Sequence, residues 1–134
     1  MRTKTVAGAV ALLSTAVFGL LIWRGYFGPP VVTVRNDSGS LVRQMILEGN
    51  GFSRTLPDLA PGGSITTIVR PRGESSLKIS FVLNDRPVTK DDMTYLESGG
   101  GYRTSVTIRK DGVVECRTDL GFSWGLANSV LLAL

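Results

Sequence analysis

The sequence predicts an all-β protein: a single small β-sandwich of about seven short antiparallel strands, preceded by one N-terminal transmembrane helix. Three observations predict this class. The chain opens with an uncharged, mostly apolar run, apolar and polar residues alternate after residue 31, and turn-forming residues interrupt that alternation at short intervals. Roughly 100 residues remain beyond the apolar run, which suits one domain with one core.

The apolar run, residues 5–23, has the length and composition of a membrane-spanning helix. As a helix it would extend about 28 Å, close to the ~30 Å hydrocarbon core of a bilayer. Arg2 and Lys4 precede it in residues 1–4, and only Arg24 follows it closely. The positive-inside rule therefore predicts a cell-membrane protein with a cytoplasmic N-terminus and an extracytoplasmic domain, which is periplasmic in a bacterium.

A cleaved signal peptide is the alternative interpretation of the same residues. It shares the basic start, but its apolar centre usually has about 7–15 residues and is followed by a small-x-small cleavage site. The run here is longer, and the sequence at its end, LLIWRGYFGPP, has no clear site of this kind. The sequence therefore favours an uncleaved anchor, joined to the domain by a Gly/Pro spacer at residues 24–30.

Seven strands are predicted from alternation within residues 31–118, the β-domain. They cover residues 31–35, 41–48, 52–56, 64–70, 77–83, 102–110 and 113–117. Residues 49–51 and 111–112 have the composition of tight hairpin turns, whereas residues 84–101 are expected to be irregular. The Cys…Trp…Cys spacing of immunoglobulin domains is absent, so "immunoglobulin-like" describes the architecture only.

Alternation assigns a face to the side chains of three predicted strands. In residues 41–48, Leu41, Arg43, Met45 and Leu47 are expected on one side. The side chains expected to face the core in residues 77–83, and to share one face in residues 102–110, are respectively Leu77, Ile79, Phe81 and Leu83, and Tyr102, Thr104, Val106 and Ile108.

The net charge of +4 arises mostly from the residues that flank the apolar run. Beyond residue 30 the chain has 12 basic and 11 acidic residues, which are interspersed as on an ordinary soluble surface. A nucleic-acid-binding protein is expected to carry a concentrated basic face. The composition therefore predicts no nucleic-acid partner.

The sequence offers little catalytic or metal-binding chemistry. It has no histidine and one cysteine, and it lacks the nucleophile-elbow, P-loop and Rossmann motifs. Asp85, Asp91, Asp92 and Glu97 cluster in the irregular stretch, where a solvated loop is favoured over a calcium site or a hydrolase centre. We therefore predict a protein that is not an enzyme and has no catalytic, metal or cofactor-binding residues.

Three further features have more than one interpretation. Cys116 is expected to be a buried small hydrophobe, with an intermolecular disulfide or a reactive thiol as the alternatives. Asn36 begins an Asn-Asp-Ser pattern of the kind that can accept an N-linked glycan. Residues 99–101 are three glycines, which suit a flexible turn, or else a close approach of the backbone to a ligand.

The residues most suited to contacts with a partner lie in an apolar C-terminal tail and on one sheet face. The tail, residues 119–134, either packs on the domain, lies in the membrane interface or docks a partner. Arg103 and Arg109 belong to the polar face of one predicted strand, where a surface shared with Arg70 and Arg72 would favour anionic lipid headgroups. The candidate contact residues are Phe122, Trp124, Leu126, Leu131, Arg103 and Arg109.

The layout resembles that of small single-anchor bacterial envelope proteins, in architecture only. It predicts a non-catalytic interaction or structural module at the cell envelope. Its partners would be the membrane, through the N-terminal helix, and an unidentified protein or envelope component. A secreted or periplasmic ligand-binding or inhibitor domain, released by signal cleavage, is the alternative, and a small hydrolase is a third.

Overall fold

One α-helix, one short 3-10 helix at Lys110–Gly112 and ten strands form the part of the chain that the computed structural model describes, residues 2–121. The helix, α1, is Arg2–Phe27 and thus continues past residue 23. The strands are β1 (Val31–Asn36), β2 (Val42–Gly49), β3 (Phe52–Leu56), β4 (Ser64–Ile68), β5 (Glu74–Ser76), β6 (Lys78–Leu83), β7 (Arg86–Lys90), β8 (Tyr95–Glu97), β9 (Tyr102–Ile108) and β10 (Val114–Leu120). The prediction of an all-β protein with one N-terminal helix is confirmed, with more strands than the seven expected.

The strands form two four-stranded sheets and one small ribbon. The first sheet has the order β10-β9-β1-β4, the second has the order β3-β2-β6-β7, and β5 pairs with β8. All pairs are antiparallel except β1 and β9, which run parallel from Val31 opposite Arg103 to Asn36 opposite Ile108. This pair corrects the expectation of wholly antiparallel strands. Alternation predicts which side chains face inward, but it carries no information about strand direction.

The core lies between the two large sheets, and the small ribbon contributes to it. The inward residues alternate along β1, β6 and β9, and in β6 and β9 they are the residues predicted. The buried hydrophobic residues are Val32, Val34, Val42, Met45, Leu47, Leu56, Leu59, Val69, Leu77, Ile79, Phe81, Leu83, Leu96, Val106 and Ile108. Because β5 and β8 bring Ser75 and Leu96 to buried positions, the ribbon covers part of this core.

A β-bulge in β2 overturns the single face expected for that strand. The pairing of β2 with β6 shifts between Arg43 and Ile46, and Gln44 between them has a φ of 51°. The extra residue reverses the alternation. Met45 and Leu47 are buried as expected, but Arg43 and Leu41 are exposed.

The stretch expected to be irregular contains two strands. Asn84 and Asp85 have φ values of 50° and 60°, the combination of a two-residue hairpin turn, and they join β6 to β7. Pro87 breaks the alternation of apolar and polar residues in the sequence, yet it lies within β7. Because β7 is an edge strand, the missing backbone donor of proline is tolerated there. The predicted Asp111-Gly112 hairpin joins β9 to β10, with a φ of 61° at Asp111.

The register of the first sheet defines two ends of the sandwich. At the helix end, β1 and β9 begin and β4 and β10 finish, with Val31 opposite Ile68 and Leu120 opposite Tyr102. At the far end lie the loop after β1 and the two hairpin turns described above. Because only a few residues separate α1 from Val31, the helix adjoins the first end and not the second.

Candidate interaction surface at the helix end

The last turn of α1 is hydrogen-bonded to the sandwich. The final carbonyls of an α-helix have no partner within the helix. Here the Nη2 of Arg103 donates to the Gly25 carbonyl at 2.7 Å, and the Gly101 amide donates to the Gly28 carbonyl at 3.3 Å. The Val69 amide donates to the Pro30 carbonyl at 3.1 Å. The link between helix and domain is therefore a set of specific contacts and not only a spacer.

Gly101 permits the closest of these contacts. Its φ is 69°, and a Cβ built there would lie 1.8 Å from the carbonyl oxygen of Tyr26. No residue with a side chain fits at that distance from a backbone atom without a shift of the helix or the strand. Of the two interpretations of the glycine triplet, close approach is the one that applies to Gly101, and what it approaches is the protein's own helix.

Arg103, one of the residues predicted to contact a partner, instead forms hydrogen bonds within the protein at this junction. Besides its bond to Gly25, its Nη1 donates to the Tyr102 carbonyl at 2.8 Å. Its Nε is buried and has no hydrogen-bond partner within residues 2–121. Burial lowers the pKa of this guanidinium from its usual value. A positive charge beside the last helical carbonyls also suits the helix dipole.

Arg109, the second predicted arginine, lies at the opposite end of the same strand face. Its guanidinium donates to Glu115 at 2.9 Å and approaches Asp37 at 3.4 Å. The hydrogen bond and negative charge of Glu115 raise the pKa of Arg109. Six strand positions separate it from Arg103, a span of roughly 20 Å. The structure therefore does not bring these two residues into one patch.

The four candidate residues of the tail, Phe122, Trp124, Leu126 and Leu131, lie outside the described residues. The described chain reaches Gly121, whose amide donates to the Gly101 carbonyl at 3.3 Å. Gly101 in turn contacts Gly28 after the helix. Gly121, the last described residue, therefore lies at the helix end.

A groove lined by two arginines opens at the helix end between β3 and β4. It has a volume of about 360 Å³ and is lined by Gly51, Phe52, Ser53, Arg54, Ile68 and Arg70. The alkyl chain of Arg72 covers Gly51 beside it. All three arginines are exposed, and within residues 2–121 none of them makes an ion pair.

Arg54 was not among the residues singled out from the sequence. Arg54 lies in β3, which forms a hairpin with β2, whereas Arg70 follows β4 in the other sheet. Their proximity comes from the packing of the two sheets, which places the edge strands β3 and β4 on the same side. No sequence pattern records that packing.

An aromatic and acidic cluster adjoins the helix end. The rings of Tyr95 and Tyr102 meet edge to face, with centroids 6.0 Å apart, and the Tyr95 hydroxyl donates to Glu97 at 3.4 Å. Partial desolvation and the negative charges of Glu74 and Glu97 raise the pKa of Tyr95 to about 12. The Tyr95 hydroxyl consequently stays protonated, and able to donate a hydrogen bond, throughout the physiological pH range.

The four carboxylates considered as a calcium or hydrolase site are dispersed. Asp85 pairs with Arg43 at the far end, Asp91 and Asp92 follow β7, and Glu97 lies in the ribbon. Within residues 2–121, no three His, Cys, Asp or Glu side chains are grouped so as to hold a metal ion.

The glycan pattern at Asn36 and the lone cysteine both belong to the packed structure. The Asn36 amide group is buried, donates to the Ser40 and Leu59 carbonyls at 2.7 and 2.8 Å, and accepts from Ser38 at 2.6 Å. A glycan on this nitrogen is incompatible with the fold.

Cys116 packs against the core, and burial raises the pKa of its thiol, which disfavours the reactive thiolate.

Comparison with known proteins gives no family. No protein-family model and no curated protein sequence matches the chain. Among solved structures, the chain is similar to a protein from Eubacterium rectale whose structure was determined by NMR, with 15% sequence identity and a TM-score of 0.49. The similarity covers 69% of this chain and 89% of that one. A similarity of this size supports neither a family assignment nor a function.

Proposed function

We propose that the protein is a single-pass membrane protein whose extracytoplasmic β-domain acts as a non-catalytic interaction or structural module at the bilayer surface. The observation that carries this proposal is the junction: Arg103 and Gly101 hold the end of α1, while the apolar part of the helix extends away from the domain. A domain attached in this way stays at a short, fixed distance from the membrane.

The helix has the properties of a span. Val6–Phe27 is long and apolar enough to cross a membrane, and none of its most apolar stretch is buried against the domain. Its 22 residues would extend about 33 Å, which matches the hydrocarbon core. Side chains such as Leu12 and Leu13, 75% and 70% exposed, would be poorly tolerated in water.

The flanking residues support a cytoplasmic N-terminus. Arg2 and Lys4 precede the span, and the aromatic side chains of Trp23, Tyr26 and Phe27 lie at its other end, where an interfacial belt is expected. The domain follows that end and is therefore extracytoplasmic in this proposal.

The junction also supports retention of the helix over signal cleavage. A cleaved chain that begins at residue 26 or later would lack the Gly25 carbonyl that accepts from Arg103, and one that begins at residue 29 or later would also lack the Gly28 carbonyl that accepts from Gly101. Either cleavage would leave the partly buried Arg103 guanidinium without one of its two acceptors. Loss of a hydrogen-bond partner for a charged group costs about 1.5–3 kcal/mol.

An interaction role follows from what the helix end presents. Anchoring raises the effective concentration of the domain for any membrane partner. The exposed aromatic residues, the arginine groove and the start of the tail all lie at this end. The chain has no histidine, the residue most often used in acid–base catalysis, so we favour contact over catalysis as the role of this surface.

Fractionation of cells with intact-mass measurement tests the anchoring. We expect the full-length mass in the membrane fraction after a carbonate wash, and digestion of the domain by a protease added from outside. As a control, the variant Leu12→Arg/Leu13→Arg, with two charges in the span, should be lost from the membrane fraction. A soluble chain that begins between residues 25 and 31 would contradict the proposal and favour a released domain.

Photocrosslinking in intact cells tests the interaction role. A photoreactive residue at position 95, at the helix end, should give adducts with membrane-associated partners. The matched probe at position 110, exposed at the far end, should give fewer adducts. Equal labelling from both positions would argue against the helix end as the contact surface.

A further inference from the structure

We infer that the groove lined by Arg54 and Arg70 binds the phosphate of an anionic phospholipid headgroup in the bilayer that holds the anchor. This inference rests on the proposed anchoring and names the partner of one part of the helix end. Phosphatidylglycerol, whose headgroup carries one negatively charged phosphate, is the lipid used to test it.

The groove lies at the level expected for headgroups. Val69 bonds to Pro30, so Arg70 is opposite the short segment between α1 and β1. That segment starts directly after Phe27, where the apolar span finishes. The polar layer adds roughly 5–8 Å on each side of the hydrocarbon core, which is about two residues of extended chain. An arginine side chain at position 70 can therefore reach that layer.

The charges of the groove are available for an anion. Arg54, Arg70 and Arg72 are exposed and make no ion pair within residues 2–121. No acidic residue within residues 2–121 lines the groove. Glu74 and Glu97 lie on the ribbon strands β5 and β8. Glu48, opposite Ser53, pairs with Lys78, and Asp119, opposite Arg103, pairs with Arg117. The groove is thus positive although the domain as a whole is nearly neutral.

The composition of the groove suits a phospholipid more than a free anion. A guanidinium binds phosphate through two parallel hydrogen bonds, and two arginines flanking one opening can share its oxygens. Phe52 and Ile68 provide an apolar wall beside them. A glycerol backbone and the first acyl carbons fit against such a wall, whereas inorganic phosphate gains nothing from it.

Lipid titration of the full-length protein in neutral detergent micelles, followed by native mass spectrometry, tests the inference. The variant Arg54→Gln/Arg70→Gln removes both groove charges. The matched control Arg86→Gln/Lys110→Gln removes two exposed charges at the far end that make no ion pair within the described chain. Arg24 and Arg103 are present in the wild type and in both variants, so their contribution to lipid binding cancels in the comparison.

We expect the wild type and the control to bind phosphatidylglycerol more tightly than phosphatidylcholine. The groove variant should bind the first phosphatidylglycerol about fivefold more weakly for each arginine removed. Millimolar inorganic phosphate should not displace the lipid from the wild type.

Three results would overturn the inference: no preference in the wild type, an unchanged preference in the groove variant, or an equal loss in the control. Displacement by inorganic phosphate would show that a free anion and not a headgroup is the ligand. These outcomes are separate from the carbonate wash. A chain that stays in the membrane but shows no preference refutes only the headgroup assignment, whereas a chain that washes off removes the anchoring itself.

Discussion

The helix end and the far end of the sandwich both carry arginines, but the contacts of these arginines differ. At the far end, Arg35 and Arg109 share Asp37, and Arg109 also holds Glu115. At the helix end, Arg54 and Arg70 face an open groove without an ion pair in residues 2–121. Arg35 and Arg109 thus have acidic partners within the domain, whereas Arg54 and Arg70 leave their charge available to something outside the chain.

The two ends also differ in the contacts that close them. The far end is closed by the buried side chain of Asn36, which ties the loop after β1 to Leu59. The helix end is closed by backbone contacts of α1 with Gly101 and by the guanidinium of Arg103. The contacts that close the far end therefore come from the domain alone, whereas those that close the helix end require α1.

The largest effect is expected at the far end. Asn36→Ala removes a buried amide with two carbonyl acceptors and two bonds from Ser38, and should lower the free energy of unfolding by about 2–4 kcal/mol. Ser38→Ala removes only the hydroxyl and should cost about 1 kcal/mol. Chemical denaturation of the full-length protein in detergent micelles measures both. If Asn36→Ala costs no more than Ser38→Ala, the far end is not closed by this amide.

The next effect compares two glycines with similar backbone angles. Gly101 and Gly62 have φ values of 69° and 78°, but only Gly101 meets a backbone atom, whereas Gly62 has open space. Both alanine variants should lose about 1 kcal/mol from the positive φ. Gly101→Ala should lose about 2 kcal/mol more. It should also make residues 24–30 more susceptible to protease, which Gly62→Ala should not.

Equal stability and equal cleavage in the two variants would mean that the helix does not pack against Gly101.

A smaller effect separates Arg103, near the start of β9, from Arg109, which directly follows β9. Arg103→Met keeps the alkyl chain but removes the bonds to the Gly25 and Tyr102 carbonyls, and should cost about 1–2 kcal/mol. Arg109→Met removes only exposed ion pairs, which contribute little to stability, so its change should be the smaller of the two. Denaturation of both variants in the same micelles makes the comparison. An equal loss would show that the helix end is no more dependent on its arginine than the far end.

The smallest effect concerns the protonation of Tyr95. Its pKa, raised from 10.0 to about 12, means that the folded protein keeps a proton that the unfolded chain loses. The contribution of this group to stability is therefore full below pH 10 and is lost as the pH rises towards 12. Absorbance titration of the wild type against Tyr95→Phe isolates this hydroxyl, and Glu74→Gln/Glu97→Gln should lower its pKa. A Tyr95 pKa near 10 in the wild type would contradict the acidic surroundings described here.

The sequence by itself determined the local features of this protein. A continuous apolar run indicates a helix that nothing in the domain buries, and alternation along β6 and β9 indicates which residues enter the core. The Asp111-Gly112 hairpin was also predictable, because few residues adopt the positive φ that such turns need. Where one extra residue reverses the alternation, as at Gln44, the same reasoning assigned the wrong face.

Only the tertiary structure decided the features of the helix end. Periodicity specifies which side of a strand is buried, but not its neighbours or its direction. The parallel pairing of β1 with β9 places Gly101 and Arg103 beside the end of α1, and the packing of one sheet on the other places Arg54 near Arg70. These contacts join residues that are distant in sequence. Local propensity and spacing carry no information about them, because burial of the shared core selects the topology.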